Sequence, residues 1–115
     1  MTIKELGERM GFETVQGDFE DVPLAGGYTS DLLSDVMAKS EKGQALITIQ
    51  AHKNTVAVAS LVGLPAIILC NARPVPQDMI EAARDEGIAL FRTDRTQFQV
   101  SGLLYDALGS ARDGA

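Results

Sequence analysis

Cysteine is nearly missing from this 115-residue chain, and the single Cys70 excludes both an intrachain disulfide framework and a cluster of thiolate zinc ligands, which fits a reducing compartment. Tryptophan is missing altogether. Two Tyr and four Phe are too few to interleave with basic residues as a stacking platform for single-stranded nucleic acid. Positive charge is also short: 10 Lys and Arg stand against 16 Asp and Glu, a formal net charge of -6. No Lys/Arg run is present, so the basic patch that phosphate-backbone binding needs is not there, and nucleic acid is not an expected partner. The apolar stretches are broken by Pro, Gly or polar residues before they reach the roughly eighteen residues of a membrane span. No charged start with an apolar core and cleavage site is found, and the expected location is the cytoplasm without membrane contact.

What is present suits one ordinary soluble domain, 45% hydrophobic and 23% charged. Thr2 and Glu5 have capping-box spacing ahead of Ile3, Leu6 and Met10, with Gly11 to close a first helix. The segment "FETVQG" reads as a strand, and residues 17–23 as a surface connection leading into the strand "LAGGYT". Three further runs, "ALITIQ" (45–50), "PAIILC" (65–70) and "IALFRT" (88–93), are aliphatic with little alternation, as strands buried on both faces are. Helical spacing fills Gln77 to Glu86 and about Thr96 to Leu108, and "GSARDGA" (109–115) reads as a flexible tail. The segment "TVAVASLVG" is β-branched enough to pair as a hairpin. Asn54 as N-cap, Gly63 as terminator and the distance from Gln50 to Pro65 favour a crossover helix between parallel strands. The expectation is an α/β fold: a single compact domain with a mainly parallel sheet of about 4–5 strands and helices on both faces.

In such a sheet the strands end on one edge, where ligands of open α/β folds bind. That edge receives Tyr28, Thr29 and Ser30, then Gln50, His52, Lys53 and Asn54, then Asn71, Ala72 and Arg73, then Thr93 to Thr96. On the helix that follows "GGYT", Ser30 is the expected N-cap and Asp31 sits in the first turn, where a carboxylate complements the positive helix end. Leu32, Leu33, Val36 and Met37 are the expected buried face, with Asp31 and Asp35 one turn apart on the outer side. These carboxylates serve capping and solvation, or a cation site only if another segment supplies ligands. His52 has neither a second His nor a nucleophile at working distance in sequence, Cys70 reads as a small buried thiol, and Arg73 could hold an anion or pair with a carboxylate. No GxxxxGK[ST] and no complete GxGxxG occurs, so no metal, cofactor or catalytic residue is assigned.

Three segments together, "GGYTSDLLSDVMA", "ALITIQAHKNTVAVASLVGLPAIIL" and "EGIALFRTDRTQFQVSGLLYDAL", resemble a stand-alone DRTGG domain across residues 1–108. This family is similar to the N-terminal domain of HPr kinase/phosphorylase and to regulatory modules inserted in CBS-domain pyrophosphatases and phosphotransacetylases. The resemblance implies a compact α/β domain, a homodimer, and a regulatory or assembly role without catalysis. "NARPVP" (71–76) stands where many members have a Gly-rich turn, keeping Arg73 and Pro74, and the "DRT" of Asp94 to Thr96 is read as coincidental. Kinase activity does not carry over, since the P-loop catalytic machinery is missing from this sequence. Single-domain members of this kind accompany iron-only hydrogenase systems of anaerobes, which implies a redox-enzyme or kinase-type protein partner.

Three readings compete. The first is a regulatory module sensing a small anionic metabolite through Tyr28, Ser30, Asp31, Gln50, His52, Asn54, Asn71 and Arg73. The second is a structural subunit of a redox complex that docks through Phe98 to Leu108. The third is a small enzyme using His52 with Asp31 or Asp35.

Overall fold

The computed structural model describes the backbone of residues 1–113 and the side chains of residues 1–109. The elements run α1 (Ile3–Met10), β1 (Glu13–Gln16), β2 (Gly26–Thr29), α2 (Leu33–Lys39), β3 (Gln44–Thr48), α3 (Lys53–Val62), β4 (Ala66–Leu69), α4 (Gln77–Glu86), β5 (Ala89–Arg92) and α5 (Gln97–Asp113). The five strands form one sheet in the order β1-β5-β4-β3-β2. β2, β3, β4 and β5 are mutually parallel, and β1 joins β5 antiparallel at one edge.

The non-alternating strands owe their composition to burial on both sides. Ala45, Ile47, Ala66, Ile68, Ala89 and Phe91 face Ile3 and Leu6 of α1 and Val100, Leu104 and Leu108 of α5. Leu46, Ile67, Leu69 and Leu90 face Val36 of α2, Val56 and Ala59 of α3, and Met79 and Ala83 of α4. Helices therefore cover both faces, as the parallel connections require. The ambiguous "TVAVASLVG" is helix. Gly63 ends it in a left-handed conformation, φ 92°, its N–H bonded to the Ala59 carbonyl, and the chain then enters β4 beside β3.

Three local expectations are corrected. α2 begins at Leu33, so Ser30 is not its cap and Asp31 is not in its first turn. The Ser30 hydroxyl instead accepts from the Leu32 N–H at 3.2 Å, while the Asp31 carboxylate is drawn to β3, and helical geometry is delayed. With that later start only Val36 is fully buried, and Leu32 and Met37 are exposed by 64% and 49%. At α3 the cap is His52, whose Nδ1 accepts from the Asn54 N–H at 3.0 Å, so Asn54 lies inside the first turn. The last helix continues to Asp113, past the expected end at Leu108. The tail expected over 109–115 thus falls partly on helix, and its last two residues lie outside the described residues.

Candidate functional site

The carboxyl ends of β2, β3, β4 and β5 share one edge, and the residue that organises it is Asp31. One carboxylate oxygen, Oδ1, accepts from the Thr48 hydroxyl at 2.8 Å, the Ile49 N–H at 2.9 Å and the Gln97 side-chain amide at 2.9 Å. The Asp31 carbonyl accepts from the Gln50 amide at 3.0 Å. Three elements that are far apart in sequence, the β2–α2 turn, the end of β3 and the start of α5, are thereby tied together. Thr48 is fully buried, so its hydroxyl depends on partners within the fold, and it also accepts from the Gln50 N–H at 3.1 Å.

Of the eight residues proposed from sequence, Asp31 and Gln50 meet in this network, and Ser30 precedes it in the chain with its hydroxyl turned to Leu32. His52 and Asn54 are joined to each other by the α3 cap, with both side chains exposed. Tyr28 packs on the α2, α3 and α4 face of the sheet, donating its hydroxyl to Asp35 Oδ2 at 2.7 Å. That bond, with burial and the Asp35 charge behind it, raises the phenol above its ordinary range. Asp31 and Asp35 therefore serve different partners and do not form a stacked pair. Among the described residues no group of three or more His, Cys, Asp or Glu is placed to hold a metal ion.

Asn71 and Ala72 form the turn after β4. Both are left-handed without being glycine, at φ 61° and 51°. Their N–H groups bond to the carbonyls of Arg95 and Thr93 at 2.9 and 2.8 Å, so those two amides are turned to the neighbouring loop and not to a ligand. The turn's carbonyls are held as well. Arg92 donates from Nε to the Arg73 carbonyl at 2.9 Å and from its terminal nitrogen to the Ala72 carbonyl at 2.8 Å, with Glu13 at 3.7 Å. Arg95 donates to the Met10 carbonyl at 2.8 Å, at the end of α1. Between these arginines lies an open cleft of about 440 Å³ lined by Gly11, Glu13, Ala72, Arg92, Thr93, Asp94 and Arg95. Arg73 stands exposed beside it.

Thr48, Arg92 and Gln97 are missing from the sequence-based set. Arg92 had a usable signal, a charge closing an otherwise apolar strand. Thr48 and Gln97 had none, because nothing in their spacing points to Asp31. Cys70 is fully buried, and burial together with the negative charge of Asp31 pushes its thiol up to about 11, so it is held protonated and unsuited to nucleophilic attack. A second, larger groove of about 830 Å³ runs along β2, between Gly27 and Thr29 on the strand and Ser101, Leu104 and Tyr105 on α5. Among the described residues no helix is long and apolar enough to cross a membrane.

Residues 45–108 match the family described as the HPr Serine kinase N terminus. No curated protein matches in sequence. Among solved structures the fold is similar to that of the CBS and DRTGG domains of the regulatory region of Clostridium perfringens pyrophosphatase, complexed with its activator diadenosine tetraphosphate. The TM-score is 0.70 at 15% identity, covering 90% of this chain and 45% of that one. At that identity the likeness is one of fold, and this chain spans less than half of the protein it matches.

Proposed function

The chain belongs to the HPr serine kinase N-terminus family, and from that premise we propose that it is a non-catalytic regulatory or assembly module. It works as a homodimer and senses a small anionic ligand at the carboxyl edge of its sheet. The observation that carries the anion is the cleft between Arg92 and Arg95, with exposed Arg73 alongside. Guanidinium groups oriented by backbone carbonyls retain further N–H donors for phosphate or carboxylate oxygens. The Asp31 network supports the same reading, since it joins the strand ends to α5 and gives an event at this edge a route into the helix. Catalysis finds no support in the thiol held protonated at Cys70 or in His52, whose Nδ1 is engaged in a helix cap.

The similar regulatory region binds diadenosine tetraphosphate, which makes that dinucleotide, with mononucleotides and inorganic phosphate, the first probe panel. In a thermal-shift screen a ligand at about a hundredfold its Kd stabilises the fold by roughly 2.7 kcal/mol, a rise of several degrees. The rise is expected to fall in Arg73→Ala and Arg95→Ala and to persist in His52→Ala. No rise with any probe would overturn the sensing role and leave assembly alone.

A second reading, a structural subunit of a redox complex, draws on α5, where Phe98 and Tyr105 are exposed by 89% and 80%. Co-purification of the tagged chain with a redox enzyme from native extract separates it from the first.

A further inference from the structure

The two edges of the sheet are built differently. β1 has the features that discourage further pairing: Glu13 is held near Arg92, and the register shifts between Thr14 and Gln16. β2, Gly26–Thr29, has no charged residue, no Pro and no such irregularity in its pairing with β3. The apolar surface follows the same asymmetry. Six large apolar side chains are exposed among the described residues. Five of them, Leu32, Met37, Phe98, Leu103 and Tyr105, belong to α2 with its cap and to α5, the helices on either side of β2. The β2–α2 turn is tied to the start of α5 through Asp31 and Gln97, and β2 itself is bonded to α5 by the Thr29 and Ser101 hydroxyls at 2.6 Å.

We propose that β2 is a dimerisation edge, occupied by β2 of a second copy of this chain running antiparallel about a two-fold axis at Gly27. The inference rests on the reading of the chain as an assembly-forming module and supplies its surface. The register follows from the residues. The Ser30 N–H bonds to the Ile47 carbonyl on the β3 side, and in the register of Gly27 with Ala45 the alternation of the ladder turns the N–H and C=O groups of Tyr28 inward and those of Gly27 outward. At the axis Gly27 faces Gly27 of the second copy, and the two exchange a pair of hydrogen bonds where no side chain obstructs. Gly26 faces Tyr28 of the second copy in the close, non-hydrogen-bonded position, about 4.5 Å between Cα atoms. The Tyr28 ring then covers the bare Gly26 opposite it, the arrangement in which an aromatic offsets a strand glycine.

The occupant is a second copy because the segment is complementary to itself in this register. The strand carries no charge, so two chains of net charge -6 meet there without opposing carboxylates on the paired strands. The groove of about 830 Å³ beside β2 receives apolar side chains from α5 of the second copy.

Sedimentation equilibrium of the full chain at about 100 µM is expected to give twice the 12.3 kDa chain mass. The double variant Phe98→Glu/Tyr105→Glu, at side chains already in solvent, is expected to give the monomer mass with an unchanged circular dichroism spectrum. Leu61→Glu, exposed by 75% on α3, serves as control and is expected to stay dimeric. In the same register Ala25 faces Thr29 of the second copy, so Ala25→Cys/Thr29→Cys is expected to form a disulfide-linked dimer on mild oxidation. A monomeric wild type overturns the proposal together with the homodimer reading. A dimer that survives the double glutamate variant and does not cross-link overturns this surface alone. Ligand sensing is read separately, by the thermal shift of the monomeric variant with diadenosine tetraphosphate.

Discussion

The carboxylate of Asp31 accepts a hydrogen bond from the side-chain amide of Gln97, 66 positions further along the chain, at 2.9 Å. With Thr48 and Ile49 on the same oxygen, this contact sets how the β2–α2 turn sits over β3 and how α5 begins. Asp31→Ala leaves the buried Thr48 hydroxyl and the Ile49 N–H without their acceptor and is expected to cost about 2–3 kcal/mol, read as a lower urea midpoint. Asp31→Asn keeps an acceptor oxygen and should lose about half as much. A loss below about 0.5 kcal/mol for the alanine variant would show that the network is dispensable.

Ala72 sits at φ 51°, where a Cβ costs about 1–2 kcal/mol. Ala72→Gly relieves that strain but gives the unfolded chain more freedom, an offset of about 0.4–1 kcal/mol. The expected net is a gain of about 0.5–1 kcal/mol, visible as a Tm rise of a few degrees in differential scanning calorimetry. A fall in Tm would mean that the Ala72 methyl makes contacts worth more than its strain.

Gly27 is glycine because α5 lies against it. A Cβ added there would come within 2.7 Å of Cδ2 of Leu104, which is itself 2% exposed. Gly27→Ala is expected to destabilise by about 1–3 kcal/mol through overpacking. Gly27→Ala in a Leu104→Ala background should cost much less than the sum of the single changes, and a double-mutant cycle measures that coupling. Additive costs would place the damage elsewhere in the strand.

Cys70 binds its proton more tightly in the folded state than in the unfolded chain, with its folded value pushed from 9.0 up to about 11. Stability from this group is therefore complete below pH 9.0 and declines as the pH rises toward about 11, by up to about 2–3 kcal/mol. Tyr28, also raised, adds to the decline in the same direction. Urea unfolding at increasing alkaline pH should show a shallower decline in Cys70→Ala than in wild type. Equal slopes would mean that the thiol contributes nothing. At neutral pH the native thiol should resist alkylating reagents and react promptly after denaturation.

Much of the fold was legible in the chain. A buried parallel strand has no polar face, and "ALITIQ", "PAIILC" and "IALFRT" show this directly. The helix over "TVAVASLVG" followed from Gly63 and from the chain length a parallel crossover requires. The capping box of Thr2 and Glu5 is formed in full. These features depend on residues within a few positions of one another or on burial on both sides, and local composition records both.

The site was legible only as an edge. Ser30 and Asp31 have the composition of a helix start, and in an isolated segment they would cap one. Here Thr48, Ile49 and Gln97 compete for the Asp31 carboxylate and win it, because a buried hydroxyl needs an acceptor more than an exposed helix end does. His52 took the cap expected of Asn54 for a similar reason, its position at the exit of β3 placing a ring nitrogen over the Asn54 amide in the first turn of α3. Sequence by itself determined which segments are strands and helices and which edge gathers polar groups, since periodicity and terminators act over short range. Only the tertiary structure decided which donors reach Asp31, which arginines line a cleft and which sheet edge is left bare, because those contacts join residues whose separation along the chain carries no signal of their meeting.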